Sequence, residues 1–333
     1  MLRSRLFLAG IAVLAACGPK DEPAPVTAAT AGSFEPVTIP YSEARTLRSR
    51  FVDQEFKIFV ALPPAGSGAA ASSKYPVIYT LDANGEFGIV SEIARLAAFE
   101  PGTIPPALVV GIGYPVSRFE ETLNLRTRDY TPTADTGFAR FATNLWGNGT
   151  APTPGGAPAF LRFIREELKP FIEQHYPADP ADATLIGHSF GGLFASYALF
   201  HEPATFQRYV IASPSLWWDR QVSFEYEKQY AARNKDLPAR VFLSVGGLES
   251  AAELRKSLAA YPDSMRAPIL AYYEEAGYPQ MVELLEPFAK ALAGRRYPSL
   301  RMTSYIFPDE THASVMPMIA SRGLRDVFRP AAP

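Results

Sequence analysis

The sequence predicts an α/β fold with a mostly parallel central sheet, an antiparallel N-terminal edge and helices on both faces. Short continuous apolar runs at 76–81 (PVIYTL), 107–112 (ALVVGI), 209–213 (YVIAS) and 240–245 (RVFLSV) read as strands covered on both sides. Segments with helical spacing separate these runs, and such alternation builds a parallel sheet. One early run differs, because Phe56, Ile58 and Val60 alternate with Lys57 and Phe59 as in a half-buried antiparallel hairpin.

The chain of 333 residues is 47% hydrophobic and 20% charged, which is ample material for a large core. Its formal net charge is −2 and no cluster of Lys and Arg stands out, so there is no electrostatic case for nucleic acid. Arg3 and Arg5 precede an apolar run from Leu6 to Ala16 that is too short to span a bilayer, so residues 1–16 read as an export signal. The run ends in Leu14-Ala15-Ala16-Cys17, which is similar to the lipobox of bacterial lipoproteins, where the cysteine is acylated. A plain signal peptide is the alternative. Cys17 is the only cysteine, which excludes an internal disulfide and favours the lipidated form. Residues 17–35, rich in Pro, Ala and Thr, then read as a flexible tether between a membrane anchor and a catalytic domain at 36–329. The expected location is the cell envelope, as a membrane-anchored lipoprotein facing the periplasm.

Within the domain, strands at 37–40 and 50–63 are expected to form the antiparallel edge. The strand at 76–81 runs into the turn Asp82-Ala83-Asn84-Gly85, and 89–99 has helical periodicity. No regular element is evident between Tyr114 and Pro158, and a connection of that length is expected to be a functional or disordered loop. Phe160, Phe163, Ile164, Leu168, Phe171 and Ile172 recur at helical spacing, with Pro170 expected to bend or divide the helix. A strand at 183–186 leads into a helical stretch at 193–200. Further helices are expected at 280–292 and 315–328, with the last strand at 302–307. Ser250 and Glu253 form a capping box that opens another helix.

The chemistry centres on Gly187-His188-Ser189-Phe190-Gly191, which falls at a strand-to-helix junction and reads as a GxSxG nucleophile elbow. Such a turn lifts the serine hydroxyl above the sheet and aims the next helix's N–H groups at the reacting oxygen. A serine hydroxyl needs a base, and in α/β-hydrolases the chain order is serine, acid, histidine. Of the four histidines, His175 and His188 precede Ser189, and His201 lies roughly 18 Å along the helix that starts at the elbow. His312, in the loop after the last strand, is left as the base. Glu249 follows a buried strand at its carboxyl end and is the leading candidate for the acid. A plain helix N-terminal role for Glu249, Asp309 or Glu310 as the acid, and a Ser–His dyad all stay open. The oxyanion hole is expected from the backbone N–H groups of Phe190 and Asn84.

Trp217 and Trp218 follow a central strand, where they form an aromatic wall of the pocket or pack in the core. Arg126 and Arg128 are candidates to clamp an anionic substrate, with an Arg–Asp pair holding the long connection as the alternative. Tyr130 carries the same ambiguity. No cofactor or metal is expected.

These residues resemble the putative-esterase family of α/β-hydrolases. The resemblance rests on 74–84, Arg128-Asp129-Tyr130-Thr131-Pro132, Gly187-His188-Ser189-Phe190-Gly191-Gly192, Ser213-Pro214-Ser215-Leu216-Trp217-Trp218-Asp219 and Glu310-Thr311-His312-Ala313-Ser314-Val315, and it covers 37–328. The family includes ferric-enterobactin and bacillibactin esterases, S-formylglutathione hydrolase and the mycolyltransferases, and the last two stretches point to the siderophore esterases. The resemblance implies an α/β-hydrolase fold, Ser189 as nucleophile, His312 as base, Asn84 and Phe190 as oxyanion donors, and a small-molecule ester substrate. Members vary in the acid and some work with a dyad, so Glu249 stays open. This chain has Ala83 where the siderophore enzymes have Gly, a departure next to the Asn84 donor. The expected function is an exported serine esterase, with a siderophore trilactone as candidate substrate. Acyl transfer or deacylation on a cell-envelope glycan is the second reading, and a non-catalytic binding lipoprotein on the same fold is the third.

Overall fold

A computed structural model describes residues 37–64, 74–146, 153–277 and 279–330. The expected signal, the tether and Cys17 lie outside the described residues. The chain divides into Met1–Thr38 and Ile39–Pro333, and the elements below belong to the second unit.

An antiparallel hairpin opens the sheet, formed by β1 (Ser42–Ser49) and β2 (Gln54–Ala61). Phe56, Ile58 and Val60 are fully buried, which matches their alternation with Lys57 and Phe59. The first strand therefore lies at 42–49 and not at 37–40. Its sequence, SEARTLRS, is mostly exposed edge backbone, so hydropathy gives it no signal.

The remaining strands are β3 (Tyr75–Thr80), β4 (Leu108–Gly113), β5 (Ala178–His188), β6 (Arg208–Ala212), β7 (Arg240–Gly246) and β8 (Arg301–Phe307). All eight join one sheet in the order β1-β2-β4-β3-β5-β6-β7-β8. β2 pairs with β4 antiparallel, and every later neighbour is parallel. The helices are α1 (Ala83–Ala97), α2 (Phe119–Tyr130), α3 (Thr136–Trp146), α4 (Ala157–Phe163), α5 (Lys169–His175), α6 (Phe190–His201), α7 (Trp218–Arg233), α8 (Ala251–Ser257), α9 (Asp263–Ala276), α10 (Met281–Arg295) and α11 (Val315–Phe328).

Helices cover both faces. One core joins Phe87 and Val90 of α1 to Ile319 and Leu324 of α11, against Ile78, Ile186 and Val210 of the sheet. The opposite core packs α4, α6 and α10 on Tyr79, Leu185 and Leu243. Burial of each large apolar side chain contributes about 1.5–3 kcal/mol.

Two expectations change. The segment 114–158 is not irregular, because α2 and α3 occupy much of it. α2 reads poorly because its buried positions include Thr127 and Asp129 in place of an apolar stripe. Pro170 does not divide its helix into separated pieces. A π-helical stretch at Ile164–Leu168 runs directly into α5, and Pro170 sits just after that widened turn, where the helix carries on without its N–H.

Candidate active site

Strand β5 ends at His188 and α6 begins at Phe190, leaving Ser189 between them at φ 62° and ψ −119°. A non-glycine residue held there costs about 1–3 kcal/mol and persists only where its surroundings impose it. They do so through three hydrogen bonds. The Ser189 N–H donates to the Ala212 carbonyl at 3.0 Å, and its own carbonyl accepts from the N–H groups of Leu193 at 3.0 Å and Ser215 at 3.2 Å. Gly187 is required by close approach, since a Cβ there would lie 2.3 Å from the Gly191 carbonyl oxygen.

His312 sits in the loop between β8 and α11, with its Nδ1 2.5 Å from Glu249 Oε2. Glu249, in the turn after β7, is only 1% exposed at its side chain. Its other oxygen accepts from Ser213 Oγ at 2.6 Å and from the Gly246 N–H at 2.7 Å. The two loops are also joined by the Leu248 N–H, which donates to the Glu310 carbonyl at 3.0 Å. Gly246 permits this contact, because a Cβ there would lie 2.4 Å from that same carbonyl oxygen. Glu310, one of the alternative acids, is half-buried and accepts from Ser314 Oγ, and Asp309 is exposed.

Electrostatics sort the pair into an acceptor and a base. Burial pushes Glu249 upward, but the His312 ring, the Ser213 hydroxyl and the Gly246 N–H outweigh it and hold the carboxyl below its ordinary value. Burial lowers His312 more than the Glu249 bond raises it. At neutral pH the arrangement is a carboxylate receiving Nδ1–H from a neutral imidazole, which leaves Nε2 free to accept a proton.

Ser189 and His312 stand where two hollows meet. On one side a cavity of about 210 Å³ is walled by Phe138, Phe141, Phe190, Trp217, Tyr272 and Met281. On the other a wider cleft of about 600 Å³ runs past Asn84, Glu86, Leu123, Arg126 and His188. Phe190 and Asn84 each occupy the first turn of a helix, where N–H groups have no intrahelical acceptor. The Asn84 side chain is pinned on the Tyr114 backbone, donating to its carbonyl at 2.9 Å and accepting from its N–H at 2.8 Å.

The other candidate residues separate. Trp217 lines the cavity, whereas Trp218 is fully buried and donates from Nε1 to Thr133 Oγ1 at 3.1 Å. Arg128 lines neither hollow and is spent on Asp129, with Nε at 2.7 Å. Arg126 borders the cleft but grips both Asp82 oxygens, at 2.8 and 3.0 Å. Tyr130 is buried and its hydroxyl accepts the Asp82 N–H at 3.0 Å.

Removing one partner of a buried ion pair leaves the other charge unpaired. Arg126→Ala is therefore expected to cost about 3–5 kcal/mol of stability, read by urea unfolding. A loss under about 1 kcal/mol would mean that Asp82 is already solvated.

Glu86 and His188 are cleft residues with no assigned part in the sequence reading. Glu86 lies in the first turn of α1 and its N–H donates to the carbonyl of Asp82, the residue before the helix, at 3.0 Å, so its position just after the turn that ends β3 was the available signal. Tyr272 and Tyr273 come from α9, for which the sequence reading has no element.

Residues 49–278 match the profile of the family described as Putative esterase. The chain belongs to the putative-esterase family. It is 34% identical to the ferri-bacillibactin esterase of Bacillus subtilis (strain 168), over 91% of this chain and 94% of that protein. It is also 31% identical to the siderophore enterobactin esterase of Emericella nidulans, over 82% and 89% of the two chains. Among solved structures, the BES protein of Bacillus cereus superimposes with a TM-score of 0.70 at 30% identity, covering 90% of this chain and 99% of that one. Membership in this esterase family, with these relatives, makes the protein a carboxylic ester hydrolase.

Proposed function

We propose that the protein is an exported serine esterase that hydrolyses a siderophore ester. Ser189 attacks the ester carbonyl as His312 Nε2 takes its proton, and the N–H groups of Phe190 and Asn84 receive the oxyanion. Glu249 holds the imidazolium. His312 then delivers the proton to the departing alcohol, and water, deprotonated by the same ring, releases the acyl group. The observation that carries this reading is the Glu249–His312 hydrogen bond on the wall of the cavity that also holds the strained Ser189.

The substrate class is supported by the names of the relatives, and a panel of esters tests it. Purified protein lacking residues 1–17 is expected to cleave p-nitrophenyl acetate and, with higher kcat/KM, a siderophore trilactone. Cleavage of simple esters with none of the trilactone would remove the siderophore part of the reading.

The pH profile follows from His312. Its value in the folded protein lies below the ordinary 6.5, so the active neutral base predominates from below that pH upward. The acid limb of kcat/KM is expected to have its midpoint below 6.5, with a plateau from about 7 to 8. A midpoint above 7 in a pH–rate series would contradict the assignment of the base.

The envelope location rests on Cys17 and the apolar run before it. Full-length protein expressed in a bacterium is expected in the membrane fraction, and Cys17→Ala is expected to release it. Equal membrane association of the two forms would remove the lipid anchor from the account.

A further inference from the structure

The charge around Ser189 narrows the substrate further, given the esterase reading above. The cavity walls are aromatic and apolar, and among its described lining residues there is no lysine or arginine. Its polar lining includes the uncharged Ser215 and Tyr272 hydroxyls and the Glu249 carboxylate. Tyr272 is kept neutral by burial, which raises it far above its ordinary value. An anionic group entering here would lose its water and meet a carboxylate with no cation in return.

The cleft is no more receptive. Arg126, the cation on its described lining, already has both oxygens of Asp82 on its guanidinium. Glu86 and His188 also border it, with Oε1 and Nδ1 3.4 Å apart, and the second polar atom of each is buried without a hydrogen-bond partner. Burial pushes His188 down to about 4, so its ring is neutral at pH 7, and burial together with the neighbouring Asp82 raises Glu86 above its ordinary value. The cleft thus presents an arginine already paired with Asp82 and a neutral imidazole, and no other lysine or arginine among its described lining residues.

The volume says which part of a substrate the aromatic cavity holds. About 210 Å³ is below the roughly 300–1,000 Å³ of cavities that enclose a whole drug-sized ligand. It takes one arm of an ester, in reach of the aromatic faces of Phe138, Trp217 and Tyr272.

We infer that the site selects esters with an uncharged aromatic arm in the Phe138–Trp217–Tyr272 cavity and discriminates against the same arm when it is anionic. A matched pair of probes reads this directly, namely p-nitrophenyl 4-methylbenzoate and p-nitrophenyl 4-carboxybenzoate, which are close in size and differ by one negative charge. After correction for uncatalysed hydrolysis, kcat/KM at pH 7.5 is expected to favour the neutral ester by about 100-fold or more, as for a charge desolvated without a partner. Leu254 is half-buried on the cavity lining, so a lysine there can lay its stem on the wall and hold its ammonium at the mouth.

Leu254→Lys is expected to narrow the preference by about tenfold or more through the carboxylate ester, with Leu254→Gln, similar in length but uncharged, keeping it. Rates within threefold of each other for the two esters in the wild type would overturn the inference and leave the esterase reading standing. A preference that Leu254→Lys and Leu254→Gln leave equally unchanged would overturn charge as its cause. Failure to cleave either ester or p-nitrophenyl acetate, or cleavage undiminished in Ser189→Ala, would instead overturn the serine-esterase reading itself, whereas cleavage of p-nitrophenyl acetate with neither benzoate ester would overturn the aromatic arm alone.

Discussion

Ser189→Ala is expected to lower kcat/KM for any ester by about 10⁴-fold or more, the largest effect of any single substitution considered. In the proposed mechanism the Ser189 hydroxyl forms the acyl-enzyme, and Ser215, the other serine of the cavity lining, lacks the elbow geometry to replace it. The fold should survive. Alanine keeps a Cβ at φ 62°, so the backbone strain is carried over and the three backbone hydrogen bonds that impose it are untouched. Thermal unfolding is therefore expected to be unchanged within a few degrees. Loss of activity together with loss of the unfolding transition would leave the hydroxyl's role undemonstrated, and Ser189→Cys, which restores a nucleophile, then separates chemistry from folding. Activity above about 1% of wild type in a well-folded Ser189→Ala would contradict the mechanism.

Glu249→Gln comes second, with an expected fall in kcat of about 10²–10⁴-fold and little change in KM. Two of the hydrogen bonds to Glu249 arrive at one oxygen, from Ser213 and Gly246, and the third arrives at the other from His312. A glutamine that keeps its carbonyl toward Ser213 and Gly246 turns its NH2 to His312. Nδ1 must then accept, which puts the ring proton on Nε2 and removes the base from Ser189. The substitution also deletes the interaction that raises His312, while the burial that lowers it stays. The acid limb of the residual activity should move to lower pH, not higher. A Ser–His dyad makes the opposite forecast on rate, namely kcat within about threefold of wild type.

Much of this site was legible because it depends on chain order and on element ends. Ser189, Glu249 and His312 lie at or just after the carboxyl ends of β5, β7 and β8, where a parallel sheet brings its loops together. Eliminating three histidines needed only the direction of the chain and the length of α6. The cavity walls were harder to read. Phe138 and Phe141 of α3 are three residues apart on one helix face, but Gly137 and the nearby Pro132 obscure the period.

Arg126 and Arg128 show the limit from another side. Two arginines two residues apart are equivalent as anion clamps by spacing alone. Helix α2 sends them in different directions, and each finds a carboxylate of this chain, Asp82 for one and Asp129 for the other. Which charge is already satisfied is a property of packing, and spacing alone does not contain it. The same holds for Trp217 and Trp218, adjacent in sequence but divided between the cavity wall and the core.

Treatment with a fluorophosphonate, followed by peptide mass spectrometry, tests the central claim most directly. One phosphonyl group per chain is expected, located on Ser189, with activity lost in proportion to labelling and no labelling in Ser189→Ala. Inactivation with Ser189 unmodified, or full activity after Ser189 is fully labelled, would contradict it.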